Sequence, residues 1–168
     1  MSGPVLNVLF LGDVVGKGGR NAVRSLVPEL KREFNCQFVI VNAENCANGS
    51  GMTAACLKEM PEVDVFTSGD HTWDQKTFEQ EIRDIPNLVR PANFSRLQPG
   101  VGWRKFRNPA GGEIAVISLL GKVFMKESAY CPFETAEEIV KQLPLSCKCI
   151  IVDIHAEATS EKAALAWM

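Results

Sequence analysis

The chain has 168 residues, enough for one domain with a substantial core. Hydrophobic residues make up 46% and charged residues 23%, the balance of an ordinary globular protein. With 18 basic against 20 acidic side chains the net charge is −2, which argues against an extended nucleic-acid surface but leaves room for a small phosphorylated substrate held through a metal.

No apolar run reaches the ~18–20 residues that cross a bilayer, so no membrane association is expected. The opening "MSGPVLNVLFLGD" lacks a basic n-region and meets an acid too early for a signal peptide. Six scattered cysteines, with only Cys147 and Cys149 close in sequence, suit reduced thiols and a cytoplasmic location.

Val5 to Leu11 reads as a buried first strand, and the glycine-rich "GDVVGKGGR" follows as a loop. Apolar positions at Ala22, Val23, Leu26, Val27 and Leu30 predict a helix over 20–34, with Pro28 kinking or stopping it. A second buried strand is expected at 36–42, a short helix at 53–60, a third strand at 63–67 and a helix over 75–83. "LVRPANF" (88–94) reads as a strand ended by Pro91, and 102–119 as two strands around Pro109–Gly112. A helix at 134–143, an apolar strand at 147–155 and a helix from 159 complete the order. Strands and helices alternate early and a hairpin intrudes later, which predicts an α/β sandwich with a mixed sheet.

Four of these strands end in ligand-type side chains. The first runs into Gly12-Asp13, the second into Glu44-Asn45, the third into Gly69-Asp70-His71, and the late strand into Asp153 and His155. Carboxyl ends of parallel strands share one rim of an α/β sheet, where ligands bind. Oxygen and nitrogen donors gathered there suit Mn, Fe or Zn, and Glu44, mid-rim in sequence, is the natural bridge between two ions. Singly, each has a plainer role: Asp13 as a helix cap, Glu44-Asn45 as a polar loop, His155 as a core histidine. Cys46 beside Asn45 reads as a buried filler, and Trp73 and Phe94 as core aromatics with base stacking the alternative. The loop "GDVVGKGG" misses the Walker pattern, with three residues before Gly16-Lys17 and Gly18 after it. It misses the dinucleotide pattern too, with Asn21 in place of the third glycine.

The strings "FLGDVVGKGGR", "NAENCANGSGMT", "SGDHTWD", "RPANF", "PGVG" and "VDIHAEATSEKAALAW" closely resemble the YmdB-like family of calcineurin-type metallophosphoesterases of bacteria. The resemblance implies a layered α-β-β-α sandwich, a dinuclear iron or manganese site, and hydrolysis of 2′,3′-cyclic nucleotides by a metal-activated hydroxide. It also implies roles. Asp13 and Asn45 bind one metal, Glu44 bridges, Asp70 and His155 bind the second, and His71 gives a proton to the leaving oxygen. A homo-oligomer is expected.

Two departures qualify this. Asp70 stands where the family carries Asn, which keeps a ligand oxygen but adds charge, so metal preference or rate should change. The family also continues into a Gly-Thr-His-Thr-His segment, whereas this chain stops at Met168. The expectation is therefore one domain over 1–168, incomplete at its C-terminus, holding one metal ion or none, with impaired activity. A non-catalytic binding or regulatory module on the same fold is the alternative.

Overall fold

The computed structural model describes residues 5–168. The reading of residues 1–4 as free of a signal lies outside the described residues. Four strands, β1 (Val8–Leu11), β2 (Phe38–Asn42), β3 (Val65–Thr67) and β4 (Leu88–Val89), form one all-parallel sheet in the order β1-β2-β3-β4. Three more, β5 (Trp103–Arg107), β6 (Glu113–Leu120) and β7 (Cys147–His155), form a second, mixed sheet. There β5 runs antiparallel to β6 and β6 parallel to β7. The hairpin is closed by Asn108, whose side-chain Oδ1 accepts the Ala110 N–H at 2.8 Å.

Strand periodicity assigns the layers. Along β2, Phe38 and Ile40 face the second sheet, packing with Val65 and Val89 of their own sheet against Ile114 and Val116 of β6. The alternate residues Val39 and Val41 face helices, packing with Val23 and Val27 of α1 (Gly16–Glu33), Leu57 of α2 (Ala54–Lys58) and Phe78 of α3 (Phe78–Glu81). On the far side Ile117 and Leu119 of β6 meet Ala136 and Ile139 of α4 (Pro132–Gln142), with Leu165 of α5 (Thr159–Trp167) beside them. The order is helix, sheet, sheet, helix, as the sequence predicts. Among the described residues no helix is long and apolar enough to cross a membrane.

Local differences from the expectations have physical causes. Helix α1 begins at Gly16, so the glycine-rich stretch forms its first turn, and it runs unbroken through Pro28. An interior proline forfeits one hydrogen bond and costs about 3 kcal/mol. Val23 and Val27, both buried in the core, anchor the turn that leads into it. The expected helix over 75–83 is shortened to α3 followed by a 3₁₀ turn (Ile82–Asp84), and another 3₁₀ turn (Asp70–Trp73) precedes it. The expected strand 88–94 is paired in its sheet only at Leu88–Val89; Pro91 then bridges Ser118 of β6 as the chain crosses between sheets.

Candidate metal centre

All four early ligand-type positions follow strands whose carboxyl ends meet at one rim. The loop after β1 is tied to β2: Val14 N–H donates to the Asn42 carbonyl at 3.0 Å, and Gly16 N–H to the Asn45 carbonyl at 2.9 Å. This fixes Asp13 in a left-handed backbone conformation, φ 45°, which Asp tolerates better than bulky residues. Asp13 caps nothing, because the residue before α1 is Val15 and it makes no side-chain cap. Glu44, two residues past β2, is completely buried.

Asp13, Glu44 and His155 each present one ligand atom, and these atoms lie within 4.8 Å of one another. His155 Nδ1 is 2.5 Å from Glu44 Oε1, and its Nε2 is 3.3 Å from Asp70 Oδ1. Glu44 Oε2 accepts the His71 backbone N–H at 3.2 Å. Glu44 Oε1 and Asp70 Oδ1 are buried and lack a partner in hydrogen-bond geometry. Both of these buried oxygens face the single His155 ring, and a metal ion among them would offset more of the cost of burying their charge. Carboxylates plus an imidazole, with atoms a few ångströms apart, fit a divalent transition ion. Asn45 stands half-buried beside Glu44, its carbonyl engaged with Gly16.

Gly69 permits this convergence by its size. A Cβ there would run into Glu44 Oε2 and come within 2.6 Å of His155 Cγ. The glycine is needed here for a close approach of two side chains. His155 is no ordinary core histidine either. The contact with Glu44 raises its pKa to about 9, against the opposing effect of burial, with Asp70 and Asp13 adding to the rise.

Beneath the rim, Asp153 of β7 joins the two sheets. Its Oδ2 accepts from Thr67 Oγ1 of β3 at 2.5 Å and from Asn42 Nδ2 of β2 at 3.2 Å. Burial raises its pKa, although both hydrogen bonds favour the ionised form. The strand-end pattern singled out Asp153 as a donor; its place is as a strut under Glu44, whose N–H donates to Asn42 Oδ1 at 3.3 Å.

His71 sits beside the cluster, its Nε2 3.8 Å from Asp70 Oδ1 and its Nδ1 2.7 Å from Asp74 Oδ2. Burial lowers its pKa, but the Asp74 hydrogen bond with the charges of Asp70, Asp74 and Glu44 outweighs this and leaves it raised. Asp74 and Ser50, both in contact with this ring, were not picked out in sequence. Phe94 is buried in the interior and Trp73 packs against the helix-side core, so neither presents an open stacking face. Cys46 is fully buried, and burial pushes its thiol up to about 12. A cavity of about 860 Å³ between α4 and the segment 90–103 shares no residue with the cluster.

A family model described as YmdB-like protein matches residues 9–168. The chain belongs to the YmdB-like family. Its relatives include the 2′,3′-cyclic-nucleotide 2′-phosphodiesterase of Bacillus subtilis, 43% identical over 96% of this chain and 61% of the relative. Two solved structures share the fold. One is a phosphatase from Mycoplasma pneumoniae at 35% identity and TM-score 0.87, matched over 96% of this chain and 59% of that one. The other is a hypothetical protein from Thermus thermophilus at 31% identity and TM-score 0.86, over 95% and 62%. The chain thus spans about three-fifths of the length of each of these proteins.

Proposed function

We propose that this chain carries the metal centre of a metallophosphoesterase that hydrolyses small phosphodiesters, 2′,3′-cyclic nucleotides being the substrate class. The convergence of Asp13, Glu44, Asp70 and His155, with two buried carboxylate oxygens left without hydrogen bonds, carries this reading. The name of the Bacillus subtilis relative supports the substrate class. In this reading Asp13, Glu44 and Asn45 hold one ion, Glu44, Asp70 and His155 the other, with iron or manganese the metal. Residues 1–168 belong to a single metallophosphoesterase domain and make up only part of it.

When bound, a divalent ion neutralises the phosphodiester and lowers the pKa of a water to give the nucleophile. The chain's own residues do the rest. Glu44, buried and fixed through its backbone, holds the cluster in place. Gly69 keeps the floor open. His71 gives a proton to the oxygen that leaves as the ring opens, a contribution worth typically ~10²–10⁴-fold. Free thiols at all six cysteines support a reducing, cytoplasmic setting. Exposed Ile150 and Val152 on edge strand β7 support self-association, which light scattering tests.

The direct test is a manganese-supplemented assay on 2′,3′-cyclic AMP with wild type, His71→Ala and Glu44→Gln, alongside metal analysis of each. Turnover by wild type, a loss of about 10²-fold or more in His71→Ala with metal retained, and metal loss in Glu44→Gln are expected. Equal background rates in all three, with no bound metal in wild type, would leave a non-catalytic module instead.

A further inference from the structure

We propose that Asp74 is the positioning residue of His71, holding the imidazole by Nδ1 so that Nε2 faces the metal rim. This rests on the hydrolytic reading above. The tight 3₁₀ turn Asp70–Trp73 makes the arrangement possible, because three residues per turn bring positions i and i+3 into line. Asp74 N–H donates to the His71 carbonyl at 3.2 Å, and its carboxylate returns under the ring to within 2.7 Å of Nδ1. The opposite ring nitrogen, Nε2, is the one that approaches Asp70.

Asp74 is itself held. Ser50 Oγ donates to Asp74 Oδ2 and lies 3.2 Å from His71 Nδ1. The Ser50 carbonyl accepts from Gln75 Nε2 at 2.8 Å, which ties the loop 48–51 to the segment after the turn. That loop turns through left-handed conformations at Asn48 (φ 53°), Gly49 (φ 97°) and Gly51 (φ 75°). A Cβ on Gly51 would stand 3.0 Å from the Gln75 nitrogen and 3.2 Å from Asp74 Cβ, so the approach requires glycine. A half-exposed ion pair between neighbours usually contributes little to stability. Here an ordered loop and a second donor fix it, and the one ring atom left free is aimed at the cluster.

The chemistry follows the logic of an oriented general acid. As water adds to phosphorus and the bond from phosphorus to the ribose oxygen breaks, the Nε2 proton passes to that oxygen. The ring is left neutral with its remaining proton on Nδ1, donated to Asp74. Without Asp74 the ring is free to rotate, and either nitrogen can carry the proton.

Two measurements decide the matter. The chain has two histidines, so long-range proton–nitrogen NMR, assigned with His71→Ala, reads the His71 ring directly. Wild type is expected to carry its neutral-form proton on Nδ1, and Asp74→Ala and Asp74→Asn to lose that preference. In turnover, Asp74→Ala should lose about 10- to 100-fold in kcat on 2′,3′-cyclic AMP at unchanged KM and metal content, part of the proton donor's effect. On bis(nitrophenyl) phosphate, whose phenolate leaves without a proton, it should change little. His71→Ala combined with Asp74→Ala should be no slower than His71→Ala alone. An Nε2-protonated wild-type ring, or losses that multiply in the double variant, overturns the proposal. If wild type turns over neither substrate while the Nδ1 preference still depends on Asp74, the hydrolytic reading falls and the positioning stands.

Discussion

At the scale of single residues, Gly69 shows how much of the site depends on what is absent from a side chain. Its neighbours Glu44 Oε2 and His155 Cγ occupy the space that any Cβ would need. Gly69→Ala therefore has to push the buried carboxylate away from the imidazole, and neither can move far within packed strands. Overpacking of this kind costs about 1–3 kcal/mol. The functional loss should be larger: Gly69→Ala is expected to fold but to retain little metal by mass spectrometry. Gly18→Ala is the control, since nothing lies within 4 Å of the added carbon there; full metal loading in Gly69→Ala would refute the account. In sequence, the donors Asp13, Glu44, Asp70 and His155 were legible because strand ends are readable and the residue types are ligand types. The room made by Gly69 was not, because it depends on two elements remote in sequence. Asp74 and Ser50 were hidden for the same reason, their relation to His71 being set by a 3₁₀ turn that periodicity does not reveal.

At the scale of elements, the strands were read better than the helices. Burial of both faces of β2 and β6 follows from strings such as "FVIVN" and "EIAVISLL", which are apolar on both faces and so belong inside. The helix α1 differs from its expectation at its start: its glycines suggested a loop, yet they form its first turn. Of the two outcomes open at Pro28, a kink or a stop, the stop does not occur, since the helix continues five residues beyond it to Glu33. Tertiary packing anchors the part before Pro28, where Val23 and Val27 are sealed in the core. Pro28 thus carries a backbone cost with no evident gain, so Pro28→Ala should stabilise the protein. Recovering part of the ~3 kcal/mol penalty should raise Tm by several degrees, at about 2–4 °C per kcal/mol for a chain of this size. Calorimetry on the two proteins checks it, and an unchanged or lowered Tm would mean that Pro28 shapes the helix against its sheet.

At the scale of the whole molecule, the site is assembled from both sheets, and this makes metal binding a matter of global stability. Asp13, Glu44 and Asp70 follow strands of the parallel sheet, whereas His155 ends a strand of the mixed one. Below them Asp153 links β7 to β2 and β3, and Ser118 Oγ of β6 donates to the Ser68 carbonyl at 2.7 Å. A cation held by Glu44 and His155 at once adds a further tie between the sheets that exists only in the folded chain. A ligand that binds only the native state stabilises it by about 2.7 kcal/mol at a hundred times its dissociation constant. Manganese should therefore raise Tm in a concentration-dependent way, and a chelator should reverse the rise. Glu44→Gln should remove the response, because the oxygen charge it offers a metal is gone, and its metal-free Tm should fall below that of wild type, because the buried contact that raises the His155 pKa is lost. A manganese response that survives in Glu44→Gln would locate the ion elsewhere on the molecule and detach the metal from the seam between the sheets.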